Sequence, residues 1–180
     1  MRYQGIIIAG FGGQGILSIG RVLAQAGLDE GMTVTWLPSY GPEIRGGTAY
    51  CHVILSDAPI GSPLLNSATA LIAMNKPSLD KYHSLVVEGG IVIIDGSLID
   101  SVPEGFYDKS RQFCSLPATK VALDNGHSTF ANIILAGKLL ALTGILSVKS
   151  FEAALYKVLS AKYQYLIPQE MEMLRFGMEY

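Results

Sequence analysis

Two rhythms run along this chain. Unbroken apolar runs bounded by glycine or polar residues read as buried strands: "YQGIIIAG" from Tyr3, "ATALIAM" at 68–74 and "GIVIID" at 90–95. "MTVTWLP", from Met32, alternates and is rich in β-branched and aromatic residues, which predicts another strand. "TAYCHVILSD", from Thr48, is a long strand. Its link to the strand before is too short for a helical crossover, so it is expected to run antiparallel to a neighbour. "RQFCSLPA" adds a short edge strand. The second rhythm is helical. From Gln14 to Asp29 the apolar residues Ile16, Leu17, Ile19, Leu23 and Leu28 mark one helix. Pro77 suits the first turn of a helix running to Leu85. Further helices are expected over Ala118–Leu123, Phe130–Leu142 and Val148–Lys162.

Strands thus alternate with helices. That order predicts a single α/β domain over residues 1–180, a three-layer sandwich whose sheet is mostly parallel with an antiparallel element near "TAYCHVILSD". In such sheets ligands bind in the crevice outside the carboxyl ends of the strands. Four loops are expected at that edge: Gly10–Gly15, Ser39–Gly47, Asn75–Ser78 and Asp95–Ser97.

Composition narrows the function classes. A net charge of −2 offers no footprint for nucleic acid or an anionic membrane. The hydrophobic share of 49% is high for a monomer; it predicts a buried subunit face, and a homodimer when the chain is isolated. The two cysteines, Cys51 and Cys114, match no metal or disulfide spacing. They fit a reduced, cytoplasmic setting and are too few for a four-thiolate iron–sulfur cluster. The start, "MRYQGIIIAGF", has too short and too broken an apolar run for a signal peptide. Phe130–Val148 is long enough to raise the question of a membrane span, but it carries Asn132 and Lys138; a buried or interface helix is the expectation.

"GFGGQG", Gly10 to Gly15, spells G-x-G-x-x-G between a strand and a helix, the phosphate-loop pattern of dinucleotide-binding folds. On that reading Gly10 allows the tight turn. Gly12 lets backbone N–H groups approach an anion, and Gly15 lets the helix pack close to the sheet. Gly13 and Gln14 complete the loop. A dinucleotide site also needs an acid at the tip of the second strand to hold the ribose. No Asp or Glu occurs from Gly31 to Pro42, so NAD or FAD is not expected. A stand-alone nucleotide-binding module stays as the alternative reading.

The second loop, "PSYGPEIRGG", concentrates unusual residues. Pro42 stiffens it, and Gly41, Gly46 and Gly47 permit close backbone approach. Glu43 and Arg45 bring opposite charges, and Tyr40 offers a ring and a hydroxyl. Asn75 and Lys76 are expected at the same edge. Catalytic groups are scarce. His52 and His83 read as structural; His127 sits before a helix that Ser128 or Thr129 would cap. There is no nucleophile–base pair and no metal-ligand spacing, so no catalytic residue and no metal site is assigned to this chain.

The combination of "GFGGQGILSIGRVLAQAG", "PSYGPEIRGGTAYCHVILSDAPIGSP", "ALIAMNKPSLDKY" and "NIILAGKLLALTG" resembles the gamma subunit of 2-oxoacid:ferredoxin oxidoreductases, of the 2-oxoglutarate or 2-oxoisovalerate type. The resemblance runs from Tyr3 to Leu159, and "YGPEIRGGTA" is its most specific part. It implies a Rossmann-like domain in a complex that oxidatively decarboxylates a 2-oxoacid to acyl-CoA and reduces ferredoxin. It implies alpha, beta and ferredoxin-like subunits as partners. It also implies thiamine diphosphate, magnesium, iron–sulfur clusters and CoA in the holoenzyme, none bound by this chain alone. The two glycine-rich loops would then wall the active-site or CoA region. Arg45 would meet a carboxylate or CoA phosphate, Glu43 would orient Arg45, and Asn75 would hydrogen-bond at the crevice edge.

Overall fold

The computed structural model describes residues 1–40, 47–102 and 110–180. Six strands form one sheet: β1 (Tyr3–Phe11), β2 (Thr33–Tyr40), β3 (Thr48–Ser56), β4 (Ala68–Ala73), β5 (Val86–Asp95) and β6 (Gln112–Leu116). Their order is β2-β3-β1-β4-β5-β6. β3 pairs antiparallel with both β1 and β2, whereas β1–β4, β4–β5 and β5–β6 are parallel. The short link from Tyr40 to Thr48 can only turn the chain back beside its own strand, which puts β3 in reverse. Pro38, which has no N–H to give a ladder, lies on the edge strand β2.

Both faces of the sheet are covered, which is why the central strands are apolar throughout. Ile6 and Ile8 of β1 point into one core and Ile7 and Ala9 into the other. The first core is thick. It holds α1 (Ile16–Asp29), α3 (Ala118–Asp124), α4 (Ala131–Thr143), α5 (Val148–Val158) and α6 (Ile167–Glu179). The second is thin: Leu79 and Tyr82 of α2 (Lys76–Tyr82) join Leu65 and Ile99 over the strands. The α/β three-layer arrangement expected from the pattern is therefore present, with one layer much lighter than the other.

α4 is apolar on nearly every side because residues 131–137, 139 and 140 are buried, between sheet and α6. Its crossing with α6 is closer than side chains would allow. A Cβ on Gly137 would strike the Leu174 carbonyl, and one on Gly177 would strike the Ile134 carbonyl. Among the described residues no helix is long and apolar enough to cross a membrane.

Three differences from expectation bear on the site and its surroundings. The first helix starts at Ile16 rather than Gln14, because Gly13 and Gly15 have φ of 94° and 74° and hold the chain out of the helix. The helix over Val148–Lys162 stops at Val158. Leu159 and Ser160 are extended, and a 3₁₀ turn covers Ala161–Leu166. Beyond it α6 had no expected counterpart. Its signals are Pro168 in the first turn and Ile167, Met171 and Leu174 at helical spacing on the core side.

Candidate functional site

β1, β2, β4 and β5 all run in one direction, so the loops after them share the carboxyl edge, as the sequence implied. From β1 the chain leaves toward β2 through α1; from β4 it leaves toward β5 through α2, on the opposite face. The gap between β1 and β4 is thus the switch point where doubly wound sheets usually take a ligand. Here Gln14 laces it. Phe11 N–H donates to Gln14 Oε1 at 2.7 Å, and Gln14 Nε2 donates to the Met74 carbonyl at 3.2 Å. Met74 N–H in turn donates to the Ala9 carbonyl at 2.9 Å. Gly10 makes room for the lace: a Cβ there would lie 2.5 Å from Gln14 Oε1 and 2.8 Å from Ile16 Cδ1.

The open space lies to one side, over the ends of β1, β2 and β3. A cleft of about 240 Å³ is walled by Phe11, Gly12, Gly13, Leu17, Ser18 and Tyr40, among others. Tyr40 is 71% exposed at its rim. The N-terminus of α1 opens here without a side-chain cap, which favours a negatively charged group. Two glycine roles change. Gly12 does not hold its N–H free for an anion; it donates to the Gly47 carbonyl at 3.1 Å and so ties the two glycine-rich loops together. Gly15 serves α4 rather than the sheet. A Cβ there would collide with Asn132 Nδ2, which donates to the Gly15 carbonyl at 3.1 Å.

The remaining candidates separate. Asn75 is almost wholly buried, and its Oδ1 accepts from Ser78 N–H at 2.8 Å, so it caps α2 instead of facing the crevice. Its Nδ2 is buried without a partner. Lys76 pairs with Asp80 one turn on, at 2.5 Å. Gly41, Pro42, Glu43, Arg45 and Gly46 lie outside the described residues. Asp95, seen in the sequence only as the start of a turn, is fully buried at the end of β5. It accepts from Ser97 N–H at 3.0 Å and from the Thr119 hydroxyl at 2.5 Å, joining β5 to α3.

Among the described residues no nucleophile or base is poised. His52 is buried and accepts from Leu65 N–H at 3.0 Å, and that burial lowers its pKa. His83 caps α2 through the Leu79 and Asp80 carbonyls. His127 stacks on Phe130 with ring centres 4.6 Å apart. Neither Ser128 nor Thr129 caps α4; its cap is Phe130, with no side-chain bond. Burial pushes the Cys51 thiol up to about 12, against a small opposing effect from Trp36, and raises Cys114 as well. Among the described residues no three His, Cys, Asp or Glu side chains could hold a metal ion.

Against known proteins, residues 5–180 match the family described as pyruvate ferredoxin/flavodoxin oxidoreductase. The chain belongs to this family. It is 39% identical over 175 residues to ketoisovalerate oxidoreductase subunit VorA of Methanothermobacter thermautotrophicus, covering 96% of this chain and 35% of VorA. The chain therefore spans about a third of that relative's length. It is 34% identical over 154 residues to 2-oxoglutarate synthase subunit KorC of Methanothermobacter marburgensis, covering 83% of each. The fold matches the crystal structure of a keto/oxoacid ferredoxin oxidoreductase gamma subunit from Geobacter sulfurreducens. The TM-score is 0.82 at 29% identity, over 99% of this chain and 96% of that one. The family's tail is part of the match, so α6 is a family element that the fragments quoted from the sequence did not reach.

Proposed function

We propose that this chain is a non-catalytic subunit of a 2-oxoacid:ferredoxin oxidoreductase complex. The complex oxidatively decarboxylates a 2-oxoacid, 2-oxoglutarate or 2-oxoisovalerate, to an acyl-CoA and reduces ferredoxin. The names of the VorA and KorC relatives support those two substrates. The observation that carries the reading is the cleft at the carboxyl edge: an uncapped α1 N-terminus beside a loop tied to Gly47, with no poised base or nucleophile among the described residues. Such a cleft suits one anionic group, a CoA phosphate or a substrate carboxylate. Arg45 would add the cation from the loop after Tyr40, and Glu43 would orient it. Asn75, committed to capping α2, drops out of that role.

Thiamine diphosphate, magnesium and iron–sulfur clusters would belong to alpha, beta and ferredoxin-like subunits in the cytoplasm. Two cysteines, one buried in the sheet and one in β6, do not fit a four-thiolate cluster. A stand-alone nucleotide-binding module fits less well. The tip of β2 carries Ser39 and Tyr40 where a ribose acid would be needed, and Gln14 fills the switch point.

The test is reconstitution of the complex with Arg45→Ala. The KM for CoA or for the 2-oxoacid is expected to rise about tenfold, roughly 1.4 kcal/mol of binding, with a smaller change in kcat. Unchanged KM values for both would remove Arg45 from the site.

A further inference from the structure

On the other side of the α1 N-terminus lies a second cavity, of about 200 Å³, walled by α1, α4, α5 and α6. Ile19 and Val22 of α1, with Leu155 and Leu159 at the end of α5, form apolar walls. The polar atoms come from Ser18, Thr129, Asn132 and Glu170. Glu170 stands in the first turn of α6 and is 8% exposed. Its Oε2 is buried without a hydrogen-bond partner. Among the described residues it is the only titratable side chain on the wall, since α1, α4 and α5 present no charge there and His127 is stacked on Phe130. Burial raises its pKa to about 7.

The wall is rich in acceptors and lacks a positive charge. Asn132 already donates to the Gly15 carbonyl and accepts from Ile133 N–H. That leaves the Glu170 carboxyl and the Ser18 and Thr129 hydroxyl oxygens to accept hydrogen bonds. A divalent metal needs more oxygen or nitrogen ligands than one carboxyl supplies, and no such group exists among the described residues. A long basic side chain fits on both counts. Its methylenes would lie along Leu155, Leu159 and Ile19, and its charge would meet Glu170.

We propose that this cavity is a socket for one basic side chain, lysine or arginine, of a partner subunit, which pairs with Glu170 on assembly. The proposal rests on the reading of the chain as a subunit. Pairing requires the ionised carboxylate, so association expels the proton that free Glu170 holds below about pH 7. Association therefore weakens as pH falls through that value.

The test measures the dissociation constant of the full chain from the remaining subunits of its complex at pH 6, 7 and 8. The wild type is expected to weaken by up to tenfold from pH 7 to pH 6. Glu170→Gln, which keeps the volume, is expected to bind tenfold or more weaker at pH 8 and to show no slope. Equal affinity for Glu170→Gln and wild type, or a flat wild-type profile, overturns the proposal. A second measurement stands apart from the subunit reading. Titration of the isolated full chain with n-butylammonium should shift the ¹³C resonance of the Glu170 carboxyl, whereas n-butanol should not. No shift with the ammonium, or an equal shift with the alcohol, removes the socket. Failure of any subunit complex to form removes the subunit reading and leaves this titration to decide the socket.

Discussion

On the sheet side of the α1 N-terminus, Gln14 spends both ends of its amide and Gly12 spends its N–H on Gly47. On the α6 side, Glu170 keeps a buried oxygen with no partner at all. The two regions share Gly15, whose carbonyl faces Asn132 and whose flanks line both cavities. A saturated polar network is a structural device: it closes the switch point and fixes two loops against each other. An unsaturated buried carboxyl costs stability and persists where something else completes it. The same helix end therefore separates a finished site from an unfinished one.

The comparison breaks most severely at the shared residue. Gly15→Ala would force a left-handed backbone on alanine and drive its Cβ into Asn132, so a loss of about 3 kcal/mol is expected in chemical denaturation. A loss under about 1 kcal/mol would mean that α1 and α4 are not locked there.

Glu170 sharpens the comparison through pH. Its folded pKa of about 7 lies above its ordinary value of 4.5, so the native chain holds a proton that the unfolded chain releases. The contribution of Glu170 is fully present below pH 4.5 and is lost as pH rises to about 7, by about 3 kcal/mol. Glu170→Gln should level this slope for the isolated chain, read as thermal midpoints across the same range.

The smallest effect is expected at the saturated side. Gln14→Ala removes two hydrogen bonds at a half-buried site, a loss of about 1 kcal/mol by denaturation. A Gln14→Glu variant keeps the acceptor for Phe11 N–H and loses the donor to Met74, so it should fall between wild type and Gln14→Ala.

Much of this was legible in the chain itself. Apolar runs located β1, β3, β4 and β5, and the short link after Tyr40 foretold the reversal of β3. The phosphate-loop spelling was visible, and so was the lack of an acid on β2 that a ribose contact would need. The roles inside the loop were not legible. Gly12 and Gly15 match a pattern whose meaning depends on what lies opposite, and Gly47 and Asn132 are distant in sequence. Asn75 read as a crevice group because its position on the edge was visible and its bond to Ser78 N–H was not. α6 escaped because Ser160 and the 3₁₀ turn break the periodicity before it.

Local patterning thus sufficed for element order, sheet direction and the edge where loops gather. Those follow from side-chain periodicity and the reach of short links, which neighbouring residues set. Which polar groups are satisfied did not follow. Gln14 depends on Met74, Gly15 on Asn132, and Glu170 on walls from α1, α4 and α5. Burial and hydrogen-bond partners at that range exist only once the helices dock, so the finished lace and the unfinished socket are properties of the packed chain.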